Sequence, residues 1–230
     1  MSDRSSGRGE ACPLTLAVSP AQRYPAHVTL FHQDESAPEV YLILTGCTKL
    51  VVAALDSEPD VIVGLRGPGW LLGVEAATLD WPHAASAETL TPTVLRRIDT
   101  RTFRKLIASD LTIGPWLRRM QAQETYEQRQ RLAILRRDPI NRILWLLREL
   151  MKEAKVVRRA NCWAFEPVLT RMEMGQIAAL TAEHVSRVLG QLEMRGVLTR
   201  DQGWIVVPTG SPLAVPLEGL GPGLTDERSL

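Results

Sequence analysis

Residues Thr170–Arg200, TRMEMGQIAALTAEHVSRVLGQLEMRGVLTR, constrain the fold more than any other stretch. Thr170 and Glu173 stand three apart, the spacing at which a hydroxyl and a carboxylate cap each other's free amides at a helix start. Met174, Ile177 and Ala178 follow as one buried face. Ala179-Leu180 is read as a tight turn. Thr181 then caps a second helix whose apolar positions are Val185, Val188, Leu189 and Leu192, and Gly196 ends it in a left-handed residue. VLTR-DQG-WIVV beyond it reads as a two-stranded hairpin.

Helix, turn, helix and hairpin together form a winged helix-turn-helix. The start of the second helix is the end that enters a major groove in such units. Ala182, Glu183, Ser186 and Arg187 project from it and are the candidates for base readout. Arginine can fork onto guanine O6 and N7, and glutamate can accept from cytosine N4. Thr170, Arg171, Thr181 and His184 are the candidates for phosphate contact, which sets register without reading sequence. Charge permits this use: residues 1–105 carry 10 basic and 12 acidic side chains, and residues 106–230 carry 17 and 14.

Upstream, the pattern is different. HVTLFHQ, EVYLILTGCTKLVVAAL, DVIVGLRGPGWLLGVE and TPTVLRRID read as short strands with glycine-marked turns, including Gly64, Gly67, Gly69 and Gly73. A sandwich or barrel of strands is expected. Residues Thr102–Ala108 suggest a short helix, and Leu111–Arg136 a long one. Ala122, Tyr126, Arg129 and Ala133 form a thin stripe along the long helix, as a dimer seam would. Asp138-Pro139 then caps a further helix with Ile140, Ile143, Leu144, Leu147 and Leu150 on one face. KVVRR reads as a basic linker and Trp163–Val168 as a strand.

Several function classes are disfavoured. The three cysteines, Cys12, Cys47 and Cys162, are scattered, with no paired metal-ligand spacing. No nucleophile–base pairing, glycine-rich phosphate loop or paired-histidine ligand motif suggests an enzyme. No run of about 18 apolar residues suggests a membrane span. Without an apolar stretch after the N-terminal charges, no signal peptide is expected, so a cytoplasmic location is.

The order of these parts resembles the CRP/FNR family of bacterial transcription regulators from about Leu14 to Val207. The likeness is strongest in LTRMEMGQIAALTAEHVSRVLGQLEMRGVL. The resemblance implies an α+β fold: a flexible N-terminus over 1–13, a jelly-roll-like, cyclic-nucleotide-binding-like β-roll over 14–110, a dimerisation helix over 111–137, the winged helix-turn-helix over 138–207 and a flexible tail over 208–230. It implies a homodimer, double-stranded DNA and RNA polymerase as partners, and no membrane. Two departures occur in the motif. The family's usual turn glycine is Ala179, and the arginine of the cyclic-AMP-receptor pattern is Ala182. Glu183, Ser186 and Arg187 match the FNR-like pattern E-x-x-S-R instead, which implies a TTGA-like palindrome.

The effector end departs further. Nucleotide-binding members carry a Gly-Glu pair and an Arg-Ser-Ala run whose arginine meets the cyclic phosphate. Here the corresponding residues are Gly73, Glu75 (one position late), His83, Ala85 and Ser86. Without a counter-charge at Ala85, cyclic AMP is not the expected effector. The effector is otherwise open. Within the family, haem on His27, His32 or His83 and a redox thiol at Cys47 or Cys162 are further readings. A ligand-sensing roll that regulates a partner protein through its winged helix is the rival from another class.

Overall fold

The computed structural model describes residues 19–54, 59–153, 156–159, 161–166, 168–201 and 203–214. The expected flexible N-terminus and most of the expected tail, with Cys12, lie outside the described residues. The chain divides between Ala133 and Ile134 into two compact units.

The first unit runs β1 (Gln22–Tyr24), β2 (Thr29–Phe31), β3 (Glu39–Thr45), β4 (Thr48–Val52), β5 (Val61–Arg66), β6 (Leu71–Leu72), α1 (Val74–Leu79), β7 (Ser86–Thr89), β8 (Thr93–Asp99), α2 (Thr100–Ser109) and α3 (Ile113–Ile134). Two four-stranded antiparallel sheets form, in the orders β1-β8-β3-β6 and β2-β7-β4-β5. Gly46 turns β3 into β4 at φ +93°, where a Cβ would stand 2.4 Å from Thr93 Oγ1. Leu50 pairs with Gly64 and Val51 with Ile62, so Val63 is the extra residue of a bulge that bends β5.

Phe31, Val40, Leu42, Ile43, Trp70, Leu72, Leu95, Ile98 and Phe103 fill the core, and Ile113, Leu117 and Met120 of α3 bury into it. Each such side chain contributes about 1.5–3 kcal/mol on leaving water. Farther along, the same face of α3 turns polar. Glu124 pairs with Arg66 of β5, and Arg131 donates to the Ile62 carbonyl. The Arg66 guanidinium also lies 4.4 Å from the Trp70 ring centroid. Burial, with Arg66 as neighbour, holds Arg131 below its usual range. Ala122, Tyr126, Arg129 and Ala133 lie on the opposite, exposed face of α3.

The second unit runs α4 (Pro139–Glu153), β9 (Val156–Arg159), β10 (Cys162–Phe165), α5 (Arg171–Ala178), α6 (Ala182–Met194), β11 (Thr199–Asp201) and β12 (Trp204–Pro208). Asp138 caps α4 by accepting from the Asn141 amide at 3.1 Å. Ile143, Leu146, Leu147 and Leu150 of α4 form the core with Met174, Ile177, Val185, Val188, Leu189 and Leu192 of α5 and α6. A four-stranded sheet in the order β11-β12-β10-β9 completes the unit.

Two expectations are corrected by this unit. KVVRR is not a linker at its described positions: Val156–Arg159 is a strand paired with β10, with both valines buried. The tail does not begin at 208. Ser211 donates to the Val197 carbonyl at 2.7 Å, the Thr209 amide to Asn161 at 3.1 Å, and Leu213 and Ala214 are fully buried. Side-chain-to-backbone and backbone-to-backbone bonds hold a segment that has no periodicity of its own.

Candidate nucleic-acid interface

The local geometry of α5 and α6 follows from their caps. The Thr170 hydroxyl accepts from the Glu173 amide at 3.2 Å, and Glu173 accepts from the Thr170 amide at 2.8 Å. The Thr181 hydroxyl accepts from the His184 amide at 3.2 Å. Between the helices, Ala179 adopts φ 52°, ψ 53°, and its amide returns to the Gly175 carbonyl. That turn brings the Leu180 carbonyl so close that a Cβ on residue 175 would stand 2.3 Å from it, so glycine is required there.

This frame presents Ala182, Glu183, Ser186 and Arg187 to solvent on the first turns of α6. Glu183 and Arg187, one turn apart, hold no ion pair among the described residues. The Ser186 hydroxyl donates back to the Ala182 carbonyl at 3.0 Å, which leaves it lone pairs to offer.

The four phosphate candidates differ. Thr170 already donates its hydroxyl hydrogen to Glu173 at 2.8 Å and would have to exchange that partner. The Thr181 hydroxyl acts as an acceptor in its cap, so its hydrogen can be given to a phosphate without breaking that bond. His184 is half-buried beside it. Arg171 is half-buried, with Nη1 3.7 Å from Met174 Sδ. Burial and then Arg200 hold Arg171 below the usual guanidinium range. Arg200 of β11 forks onto Glu193 of α6 at 2.7 and 2.5 Å, which fastens the wing to the helix. That bond holds Glu193 below and Arg200 above their ordinary values. Sequence reasoning missed Glu193 and Arg200. Their spacing of seven spans a helix end and a strand, where no single period applies.

The profile of the cyclic nucleotide-binding domain matches residues 21–110, and that of the Crp-like helix-turn-helix domain matches residues 141–211. The chain belongs to the CRP/FNR family of transcription regulators. Among its relatives, the cAMP-activated global transcriptional regulator CRP of Haemophilus influenzae is 29% identical, with 80% of this chain and 82% of that protein covered. The CRP of Pasteurella multocida is 28% identical over 80% and 88%. FixK2 from Bradyrhizobium japonicum has the same fold, with a TM-score of 0.72 at 24% identity over 89% of this chain and 98% of FixK2. These relatives and domains are those of regulators, not enzymes.

In the region that corresponds to the family's effector cassette, Gly73 and His83 lie against each other. Gly73 precedes α1 at φ +75°, and a Cβ there would stand 2.8 Å from His83 Cε1. Ala85 is buried where the arginine is expected. The Ser86 hydroxyl accepts from the Gln33 amide at 2.9 Å. Glu75 lies in the first turn of α1 on an accessible residue, and burial of its carboxyl pushes it above the usual range. His83 stacks on Phe31 at 3.7 Å between ring centroids and is 1% exposed. Burial lowers its pKa.

The histidines and cysteines considered for haem or redox sensing lie in different surroundings. His83 is enclosed between Phe31 and Gly73, whereas His27 is exposed beside Glu88 and His32 is exposed in a turn. Cys47 is buried and Cys162 half-buried, both as free thiols. Among the described residues, no group of three or more His, Cys, Asp or Glu is placed to hold a metal ion. No described helix is long and apolar enough to cross a membrane.

Proposed function

We propose that this regulator is a homodimer that reads an inverted repeat of TTGA-like half-sites, about one helical turn apart, with one α6 per half-site. Exposure of Glu183 and Arg187, one turn apart and without an ion pair among the described residues, carries this reading. Arg187 takes guanine and Glu183 the cytosine of the complementary strand, while Ser186 assists at a neighbouring base. Ala182 lacks a donor for the guanine that would distinguish GTGA. Thr170, Arg171, Thr181 and His184 meet phosphates. Ala122, Tyr126, Arg129 and Ala133, facing away from the roll, support a symmetric seam along α3.

RNA polymerase is the partner through which the bound dimer acts. Cyclic AMP is not the effector, a reading supported by Ala85, which offers no counter-charge to the phosphate. Selection from a random DNA library tests the whole: enrichment of a TTGA-type inverted repeat is expected. No enriched palindrome would end the assignment, and GTGA would reassign Ala182. Sedimentation at micromolar concentration is expected to give twice the chain mass.

A further inference from the structure

The turn between α5 and α6 contains an alanine in the left-handed conformation, which the Cβ of an L-residue disfavours, and glycine is usual there in the family. Ala179 has φ 52° and ψ 53° and is exposed, so no packing of its own holds it. The last carbonyls of α5 carry the partial negative charge of a helix end and lack partners within the helix. A side chain from another element meets them. Arg142 of α4 points Nη1 at the carbonyls of Ala178 and Ala179, at 3.3 and 3.2 Å. Its Nε donates to the Arg137 carbonyl at 2.8 Å.

We propose that Arg142 is a positioning residue for DNA reading: its guanidinium holds the Ala179 turn in place and so sets the angle at which α6 presents Glu183 and Arg187. A planar fork with five donors can serve three carbonyls on two segments at once, which a lysine ammonium on a flexible stem cannot do with the same geometry. The bonds are charge-assisted and therefore stronger than those between neutral groups. Two further contacts close the same turn: Leu180 donates to Gly175 at 3.0 Å, and the Leu180 carbonyl occupies the space beside Gly175. Neither acts on the carbonyls of Ala178 and Ala179. Arg142 thus replaces, from outside the turn, the conformational freedom that a glycine would supply within it. This inference rests on the proposed reading of DNA by α6.

The test uses the full chain with Arg142→Ala, Arg142→Lys, Ala179→Gly and the double variant Arg142→Ala/Ala179→Gly. Affinity is measured by anisotropy for the selected inverted repeat and for a random duplex at one salt concentration. Arg142→Ala and Arg142→Lys are each expected to weaken specific binding about tenfold, the size of one pairwise coupling. Binding to the random duplex is expected to stay within about twofold, because that binding depends on phosphate charge. Ala179→Gly alone is expected to change little, and in the double variant to restore most of the lost specific affinity.

Equal loss on both duplexes would overturn the proposal, since Arg142 would then act as a phosphate-facing charge. Strictly additive effects of the two substitutions would overturn it as well. Should Arg142→Ala fail to fold, Arg142→Lys and Arg142→Lys/Ala179→Gly carry the same comparison. Amide exchange at Leu180 reads the turn without DNA: faster exchange in Arg142→Lys, slowed again by Ala179→Gly, supports the clamp, and unchanged exchange rejects it. If wild type selects no sequence, the DNA reading fails on its own while Leu180 still reports on the clamp.

Discussion

On α6, Glu183 and Arg187 stand in solvent with no ion pair among the described residues, held ready by caps at Thr170 and Thr181. In the cassette of the first unit the expected counter-charge is missing. Ser86 accepts from Gln33, His83 lies flat on Phe31, and Ala85 offers no charge. Both regions derive from motifs with a polar ligand in view. One presents charged side chains in solvent, and the other sets an alanine and a ring-stacked histidine where a charge would be needed. An acceptor-only bond such as that of Ser86 leaves the hydroxyl hydrogen to give, as at Thr181, so the missing charge at Ala85 is what separates the two regions.

The largest effect that would sharpen this contrast is steric. Gly175→Ala places a methyl 2.3 Å from the Leu180 carbonyl, and overpacking against backbone is expected to cost about 3 kcal/mol. Gly190→Ala on the neighbouring helix meets nothing within 4 Å and is expected to gain up to about 1 kcal/mol from helix propensity. Thermal denaturation of the two variants separates them. Similar midpoints would mean that the turn is not tight.

Next in size is base readout. Arg187→Ala is expected to lose about 1–3 kcal/mol on the preferred half-site and to relax choice at one position. Ser86→Ala is expected to leave DNA affinity unchanged. A comparable loss from Ser86→Ala, in a binding assay without added ligand, would show that the cassette still governs the reader.

A smaller effect concerns acid. Burial depresses the His83 pKa, so the unfolded chain binds the proton more readily than the folded one. Stability is therefore complete above the unfolded value of about 6.5 and declines as pH falls below it toward the depressed folded value. The thermal midpoint is expected to drop between neutral and mildly acidic buffer. His83→Phe, which keeps the stack on Phe31, is expected to reduce that slope. An identical slope would assign the acid response to other groups.

The smallest effect is a null one. Calorimetry with cyclic AMP and cyclic GMP is expected to be flat. Saturable binding of wild type tighter than about 10 µM, near −7 kcal/mol, would break the comparison by showing that another cation serves the phosphate.

The caps and turn of the reader were legible in the sequence because they depend on residues three or four apart, as in Thr170–Glu173 and Thr181–His184. The strands flanking Thr45-Gly46 were legible for the same local reason. What escaped was non-local or short. α1 has six residues, too few to show a helical period. β9 exists through its pairing with β10, and its buried valines and exposed arginines fall two and two, without alternation. At the sites, residue identity was legible but availability was not. Whether the Ser86 hydroxyl accepts a bond depends on Gln33, 53 positions away, and whether the Ala179 turn is supported depends on Arg142, 37 positions away.

The bond between Ser86 and the Gln33 amide also has a consequence for how such a chain can change over generations. An arginine arriving at position 85 would enter a buried site, where an unpaired guanidinium costs free energy and strains the packing. The Ser86 hydroxyl, only an acceptor toward Gln33, would keep its hydrogen for a phosphate. Losing that hydroxyl would strand the Gln33 amide, so the fold itself favours a serine at position 86 whether or not a ligand is ever bound.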